Sequence, residues 1–342
     1  MATTRFQTML IVLTFTAIVA DCLTNPNGLV PDLADQDTED NAQPFVPEEI
    51  NLHADGLNDA ADDVVSVSES WTKIPGVLRD ISSGYCGVWG TNYKSMIYYR
   101  HNTYGNTNSF GDNWIQDKTG NLETVSVGYN SVWGFNAHRS IFYRNGISAS
   151  KPMGTSWVSV SGIKALCLSV SQKGHVWAVG GDAKVYHRKG ASNTNIAGTS
   201  WVEISGPTER MDIITVGEVG VWVRDVQNST LFNRKGTFGD PSSDPDGSEW
   251  VASTEGFFLE SPFLSSGVDR LYAGNYSYSA TSYWYDVWYL CGVSASKPMG
   301  KKWVKEDEAV SRGLYKLSYH KDVAWGLSFS DHVYAKSVSA CT

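Results

Sequence analysis

From residue 71 onward the chain alternates apolar and polar positions in runs of four to six, broken by Gly, Asn, Ser and Asp. Residues 157–161 read Trp-Val-Ser-Val-Ser and Gly162 turns the chain; further runs follow at 165–170, 175–179 and 184–188. Alternation with period two predicts half-buried β-strands, and no stretch of the body sustains an apolar period of 3.6. Gly and Asn between the runs supply the positive φ that tight hairpins need. Four short strands per unit are one blade of a β-propeller.

The unit recurs. Tryptophans opening a strand stand at Trp71, Trp114, Trp157, Trp201, Trp250 and Trp303, at spacings of 43, 43, 44, 49 and 53, and the last five each follow a glycine by three positions. A second tryptophan falls inside each period, at Trp89, Trp133, Trp177, Trp222 and Trp325, with Tyr272 in the matching place of the fifth. Residues 146–154 and 292–300 are nearly identical, Gly-Ile-Ser-Ala-Ser-Lys-Pro-Met-Gly against Gly-Val-Ser-Ala-Ser-Lys-Pro-Met-Gly. A period of about 45 residues predicts an all-β, six-bladed propeller over residues 70–342. Each tryptophan strand follows the Gly-x-x-Trp turn, so it completes the blade of the preceding period. Residues 71–74 are then left to pair beside 332–338 and close the ring, which removes exposed sheet edges.

Trp-x-x-Ile-Pro-Gly (71–76), Val-Trp-Gly (88–90), Ile-Tyr-Tyr-Arg (97–100), Val-Trp-Gly-Phe-Asn (132–136) and Gly-Thr-Ser-Trp-Val-Glu-Ile-Ser-Gly (198–206) are similar to the tectonin repeat, over the whole body. The chain resembles the tectonin-repeat lectins of fish eggs and the tachylectin-type defence lectins. That resemblance implies carbohydrate binding, on lipopolysaccharide or N-acetylglucosamine-type glycans, with no catalysis and no cofactor. The fifth period departs most, with Tyr272 for tryptophan, a Tyr/Ser-rich insert at 275–285, and Leu290-Cys291 where others have Arg-Asn or Arg-Lys.

The formal net charge of −9 is unevenly placed. Residues 23–69 carry 12 acidic and no basic side chains, whereas 70–342 carry 23 acidic and 26 basic ones. The acidic stretch lacks periodicity and has Phe45 as its one aromatic, so it is expected to be a disordered linker or pro-segment. With no Lys/Arg-rich stripe, the chain is not expected to bind nucleic acid. Arg5 followed by the apolar run 9–20 reads as a secretory signal peptide over residues 1–22, too short to span a membrane. The expected location is extracellular.

Secretion gives the cysteines weight. With Cys22 assigned to the signal, Cys86, Cys167, Cys291 and Cys341 remain, none in C-x-x-C spacing. Cys86 in period one and Cys341 at the end of period six are neighbours in a closed ring, so a Cys86–Cys341 disulfide is expected. Cys167 and Cys291, in non-adjacent periods, are expected not to bond to each other, and an unpaired thiol leaves room for a disulfide-linked partner chain. Asn228 and Asn275 head N-glycosylation sequons.

Candidate binding residues lie in the short loops after the second aromatic of each period: Asn92, Tyr93, Asn136, His138, Asp182, Asp225, Asn275, Tyr276 and Asp331. A basic residue closes the third strand of five periods: Arg100, Arg144, Arg188, Arg234 and Lys336. This column either grips anions bidentately or ties down a neighbouring loop. The stretch 243–250 approaches a sialidase turn, but Pro245 stands where that motif needs aspartate. Asp244-x-Asp246-Gly247 lacks the remaining ligands of a calcium loop. No metal site and no compact catalytic motif is found. A non-enzymatic lectin is the leading expectation, and a protein-interaction subunit the alternative.

Overall fold

The computed structural model describes residues 70–253, 263–278, 283–306, 310 and 313–341. The signal peptide and acidic segment expected at 1–69 lie outside them. The described chain forms six antiparallel sheets of four strands. After β1 (Thr72–Val77), blade I is β2 (Asp80–Gly84), β3 (Gly87–Thr91), β4 (Met96–Arg100) and β5 (Trp114–Asn121). Blade II is β6 (Thr124–Val127), β7 (Val132–Phe135), β8 (Ile141–Asn145) and β9 (Ser156–Val160). Blade III is β10 (Ala165–Val170), β11 (Val176–Gly180), β12 (Val185–Lys189) and β13 (Ser200–Ile204). Blade IV is β14 (Met211–Gly217), β15 (Gly220–Asp225), β16 (Leu231–Arg234) and β17 (Trp250–Ala252). Blade V is β18 (Leu264–Ser266), β19 (Arg270–Tyr278), β20 (Tyr283–Cys291) and β21 (Lys302–Lys305). Blade VI is β22 (Leu314–Tyr319), β23 (Val323–Ser328) and β24 (His332–Ser337) with β1 as its outermost strand. This is the six-bladed propeller expected from the repeat.

Closure follows the expected phase: Thr72 pairs with Ala335 and Ile74 with Val333 across β1 and β24. Each wedge between adjacent blades holds its own apolar cluster. Trp89, Trp133, Trp177, Trp222, Trp325 and Tyr272 are at most 1% exposed and anchor these clusters. A blade's inner tryptophan meets the outer tryptophan of the next blade edge to face: Trp89–Trp157 at 6.4 Å, Trp133–Trp201 at 6.5 Å and Trp325–Trp114 at 6.5 Å. Interlocked aromatics of this size explain why tryptophan dominates the repeat.

The innermost strands β2, β6, β10, β14, β18 and β22 line the axis and need partners for their inward backbone groups. A ring of hydroxyls supplies them. Ser82, Ser126, Ser169, Thr215 and Ser265 accept from the backbone N–H of Val127, Val170, Val216, Ser266 and Tyr319 on the following blade, at 2.8–3.0 Å. Ser318 accepts from Ser83 N–H at 2.9 Å and completes the circle. The axial cavity that these hydroxyls line is about 90 Å³, room for a few water molecules.

The expected Cys86–Cys341 disulfide does not form; Cys341 is bonded to Cys291, with Cα atoms 5.7 Å apart. The chain leaves β24 toward blade V, where Asp269 Oδ2 accepts from Cys341 N–H at 2.6 Å and the Arg270 guanidinium donates to Ser339 O. Cys86 packs in the wedge between blades I and II, the far flank of its blade, and its thiol donates to Tyr129 O at 3.1 Å. Periods one and six are neighbours in the ring, but Cys86 faces blade II and Cys341 faces blade V. Cys167 and Cys291 are not joined.

Candidate functional site

Antiparallel blades put the second-to-third strand turns on one face of the ring, here the lower, and the first-to-second turns on the upper, with the third-to-fourth loops. Most of the candidate loop residues belong to the lower face. There Asn92 Oδ1 accepts from Lys94 and Met96 N–H (3.0 and 3.1 Å), and Asn136 Oδ1 from His138 and Ser140 N–H (3.0 and 3.1 Å). Asp182 Oδ1 accepts from Lys184 N–H and Asp225 Oδ1 from Gln227 N–H. Such Asx turns are why Asn and Asp recur at this position. Their side-chain oxygens already hold the turn, and His138 beside Asn136 is exposed.

Tyr93 and Asp331 behave differently. Asp331 has a φ of 63° and occupies the turn-closing position that Ser95 and Arg139 fill elsewhere, which leaves its carboxylate outside its own turn. Closure of the ring carries it across the seam between blades VI and I, where Tyr93 Oη donates to Asp331 Oδ1 at 3.1 Å over 238 residues of sequence. Tyr315 Oη donates to the same oxygen at 2.9 Å, and burial raises the pKa of this phenol, as does the neighbouring Asp331 carboxylate. Arg79 lies 5.7 Å from the Tyr93 ring centroid and pairs with Glu123 at 3.6 Å. The Tyr93 ring is 60% exposed. An open aromatic face beside a carboxylate and a guanidinium can stack on the apolar face of a ring and hydrogen-bond its hydroxyls.

This rim continues into blade V. Tyr276, on the long β19–β20 hairpin, meets Tyr285 at 5.5 Å, and Tyr285 meets Phe329 at 6.4 Å in the turn that carries Asp331. Asn275 is half-buried opposite Asp286 within the ladder, with Oδ1 buried. The structure therefore gathers Tyr93, Asp331, Asn275 and Tyr276 on adjoining blades and leaves Asn136, His138, Asp182 and Asp225 on blades of their own. Tyr315 and Arg79 were missed because they lie at the inner strand and its entry, away from the turn pattern. Phe329 was legible, two residues before Asp331.

The basic column holds loops. Arg100, Arg144, Arg188 and Arg234 donate Nε–H to the carbonyls of Phe110, Met153, Ala197 and Asp246 at 2.5–2.9 Å. Each guanidinium covers the tryptophan opposite it on the next strand (Trp114, Trp157, Trp201 and Trp250) at 5.1–5.4 Å. Burial lowers the pKa of all four. Lys336 instead pairs with Glu306 at 2.6 Å. Asp246, from the calcium-like fragment, bonds His187 at 2.6 Å and also contacts Lys189. Among the described residues no three His, Cys, Asp or Glu side chains converge as a metal site.

The Tectonin domain family model matches residues 56–168 and 106–226, together half of the chain. The chain belongs to the tectonin domain family. It is 26% identical over 257 residues to the Perivitellin-2 31 kDa subunit of Pomacea maculata, covering 74% of this chain and 82% of that protein. Among solved structures it is similar to YCF48 bound to D1 peptide, with TM-score 0.46 and 12% identity over 81% of this chain and 99% of that one. YCF48 from Cyanidioschyzon merolae gives 0.44 and 13%, over 78% and 98%.

Proposed function

We propose that this tectonin propeller is a secreted, non-catalytic lectin that binds microbial or cell-surface glycans, of lipopolysaccharide or N-acetylglucosamine type, in innate defence or egg protection. The observation that carries the reading is the blade VI–I seam, where the exposed Tyr93 ring lies beside the Asp331 carboxylate and Arg79. Family membership supports it, and the relative named as a perivitellin supports the egg role and the extracellular location. Shallow rim sites bury little ligand, so single-sugar affinity is expected near the millimolar end, roughly −4 kcal/mol. Where rim loops of several blades contact a repetitive surface at once, avidity is expected to rise by about 10²–10⁴-fold. Asn228, exposed at the tip of the β15–β16 turn, is the better placed of the two sequons to carry an N-glycan.

A glycan array that includes lipopolysaccharide and N-acetylglucosamine oligomers tests the reading. Binding that weakens at least tenfold in Tyr93→Ala is expected; no binding to any saccharide at high protein concentration overturns it. A second reading, a subunit of a larger assembly, is favoured by the subunit name of the relative. Among the described cysteines outside the disulfide, Cys86 is fully buried and Cys167 half-buried. Light scattering and non-reducing electrophoresis of the purified protein decide between the two.

A further inference from the structure

Blades II and V lie three places apart in a ring of six, at opposite ends of a diameter, and on the upper face they carry the same loop. Residues 146–154 and 292–300 agree at eight of nine positions. Each loop is closed by an isolated antiparallel bridge, Ser148 with Lys151 and Ser294 with Lys297. The lysine N–H also donates to the hydroxyl of that serine, at 3.2 and 3.1 Å. The two serine hydroxyls of each loop meet at 3.2 Å in blade II and 3.3 Å in blade V. One tip is built twice.

The fold accounts for only part of this likeness. Ile147 and Met153 pack on the wedge between blades I and II, and Val293 and Met299 on the wedge between IV and V. Ala149-Ser150-Lys151 and Ala295-Ser296-Lys297 are exposed and pack on nothing. Blade III makes the same bridge, Ser192 with Asn195, and the same hydroxyl pair, yet its tip reads Asn193-Thr194-Asn195. The backbone therefore accepts other side chains at these positions. Nor do the surroundings match. Blade V departs most from the repeat, and Leu290 stands opposite Trp303 where blade II has Arg144 opposite Trp157. Beyond the loops, Thr155-Ser156 corresponds to Lys301-Lys302. The Lys151 and Lys297 ammonium groups have no ion-pair or hydrogen-bond partner among the described residues, whereas Lys184, Lys235 and Lys336 pair with glutamates. A free ammonium beside a pair of hydroxyls suits a carboxylate, which accepts from both.

We infer that the two tips are equivalent docking points for an acidic peptide segment of a partner protein, one copy at each, so that one propeller joins two. Both points lie on the upper face and the Tyr93–Asp331 seam lies on the lower, so the inference stands whether or not the seam binds sugar.

The test is calorimetry of the purified protein with hexaglutamate, capped at both ends, at low ionic strength. Wild type is expected to bind two peptides per chain with one affinity. Ala149→Asn, Ser150→Thr and Lys151→Asn together give blade II the tip of blade III, which keeps the bridge and the hydroxyl pair, and should leave one site. Ala295→Asn, Ser296→Thr and Lys297→Asn should do the same in blade V. All six changes together should weaken binding about tenfold or more. Lys118→Ala removes an exposed lysine from blade I and should bind as wild type does. No binding by wild type, undiminished binding by the sixfold variant, or an equal loss in Lys118→Ala overturns the docking points. Loss at one tip alone overturns their equivalence. Failure here leaves the outcome of the glycan array untouched.

Discussion

In blade III the inner Trp177 is fully buried, His187 stacks on it at 4.7 Å, and Arg188 covers Trp201 at 5.4 Å while its Nε–H holds the Ala197 carbonyl. In blade V the same slots hold Tyr272 and Leu290, the latter opposite Trp303. The cation lost from the outer pair has a counterpart on the inner side, where Arg270 sits 5.3–5.8 Å from the rings of Tyr272, Tyr289 and Tyr319. Burial alone would lower the pKa of Arg270, but the hydrogen bond to Asp269 and the electrostatic pull of Tyr272, Tyr319 and Asp269 together raise it. Next to Leu290, Cys291 ties the blade to the C-terminal tail. The two blades share a backbone plan and differ in what locks it. A hydrogen-bonded arginine–tryptophan clamp serves one, a buried arginine among tyrosines and a covalent link the other.

The largest test of that difference is Trp177→Ala, expected to cost about 3–5 kcal/mol because the wedge between blades III and IV cannot collapse around the void. Denaturant unfolding monitored by circular dichroism measures it. A loss below about 1 kcal/mol would show that the tryptophan is not what fastens these blades. For blade V, Cys341→Ser opens a crosslink across a sequence separation of 50 and should cost about 2–4 kcal/mol. If unfolding midpoints with and without reductant coincide in wild type, the hydrogen bonds of Asp269 and Arg270 secure the tail without the disulfide.

A pH-dependent difference comes next. Burial pushes the His187 pKa down to about 4 from its ordinary 6.5, against the opposing pull of Asp246. The unfolded chain therefore binds the proton first as pH falls. Stability drops between pH 6.5 and 4, by up to roughly 3 kcal/mol, and this loss is absent above pH 6.5. His187→Gln removes the titration, so its stability should be flatter than wild type through that window. An unchanged slope would refute the assignment. Arg188→Leu, which rebuilds blade III's outer pair in the manner of Leu290 and Trp303, is the mildest, at about 1–2 kcal/mol. A thermal shift beyond that expected from Trp177→Ala would mean the clamp carries more than its own loop.

Blade V also shows how far the sequence could be read. Its departures were visible as Tyr272, Leu290 and Cys291 breaking the repeat, yet the compensating Arg270 stands two residues before Tyr272, a place that holds Gly87, Ser131, His175, Gly220 or Val323 in the other periods and so marks no residue type. The binding rim was partly visible in the same way. Asn92, Asn136, Asp182 and Asp225 stood out because they recur, and they recur because they build turns. Tyr93 and Asp331 stood out no more than these, though the ring joins only that pair across its seam.

By itself the sequence determined the repeat, the blade number, the alternating strands and the phase in which β1 completes blade VI. Each follows from local spacing, the period of two within a strand and the recurring Gly-x-x-Trp turn that starts five of the six outer strands. The tertiary structure decided which flank of a blade a side chain faces and which distant partner it meets. That is why Cys341 found Cys291 in place of Cys86, why the arginine column turned inward onto tryptophan, and why Tyr93 came to Asp331. A period fixes a residue's place within its blade. Contact across a seam depends on side-chain direction and on the curvature that closes the ring, and neither is written in the spacing.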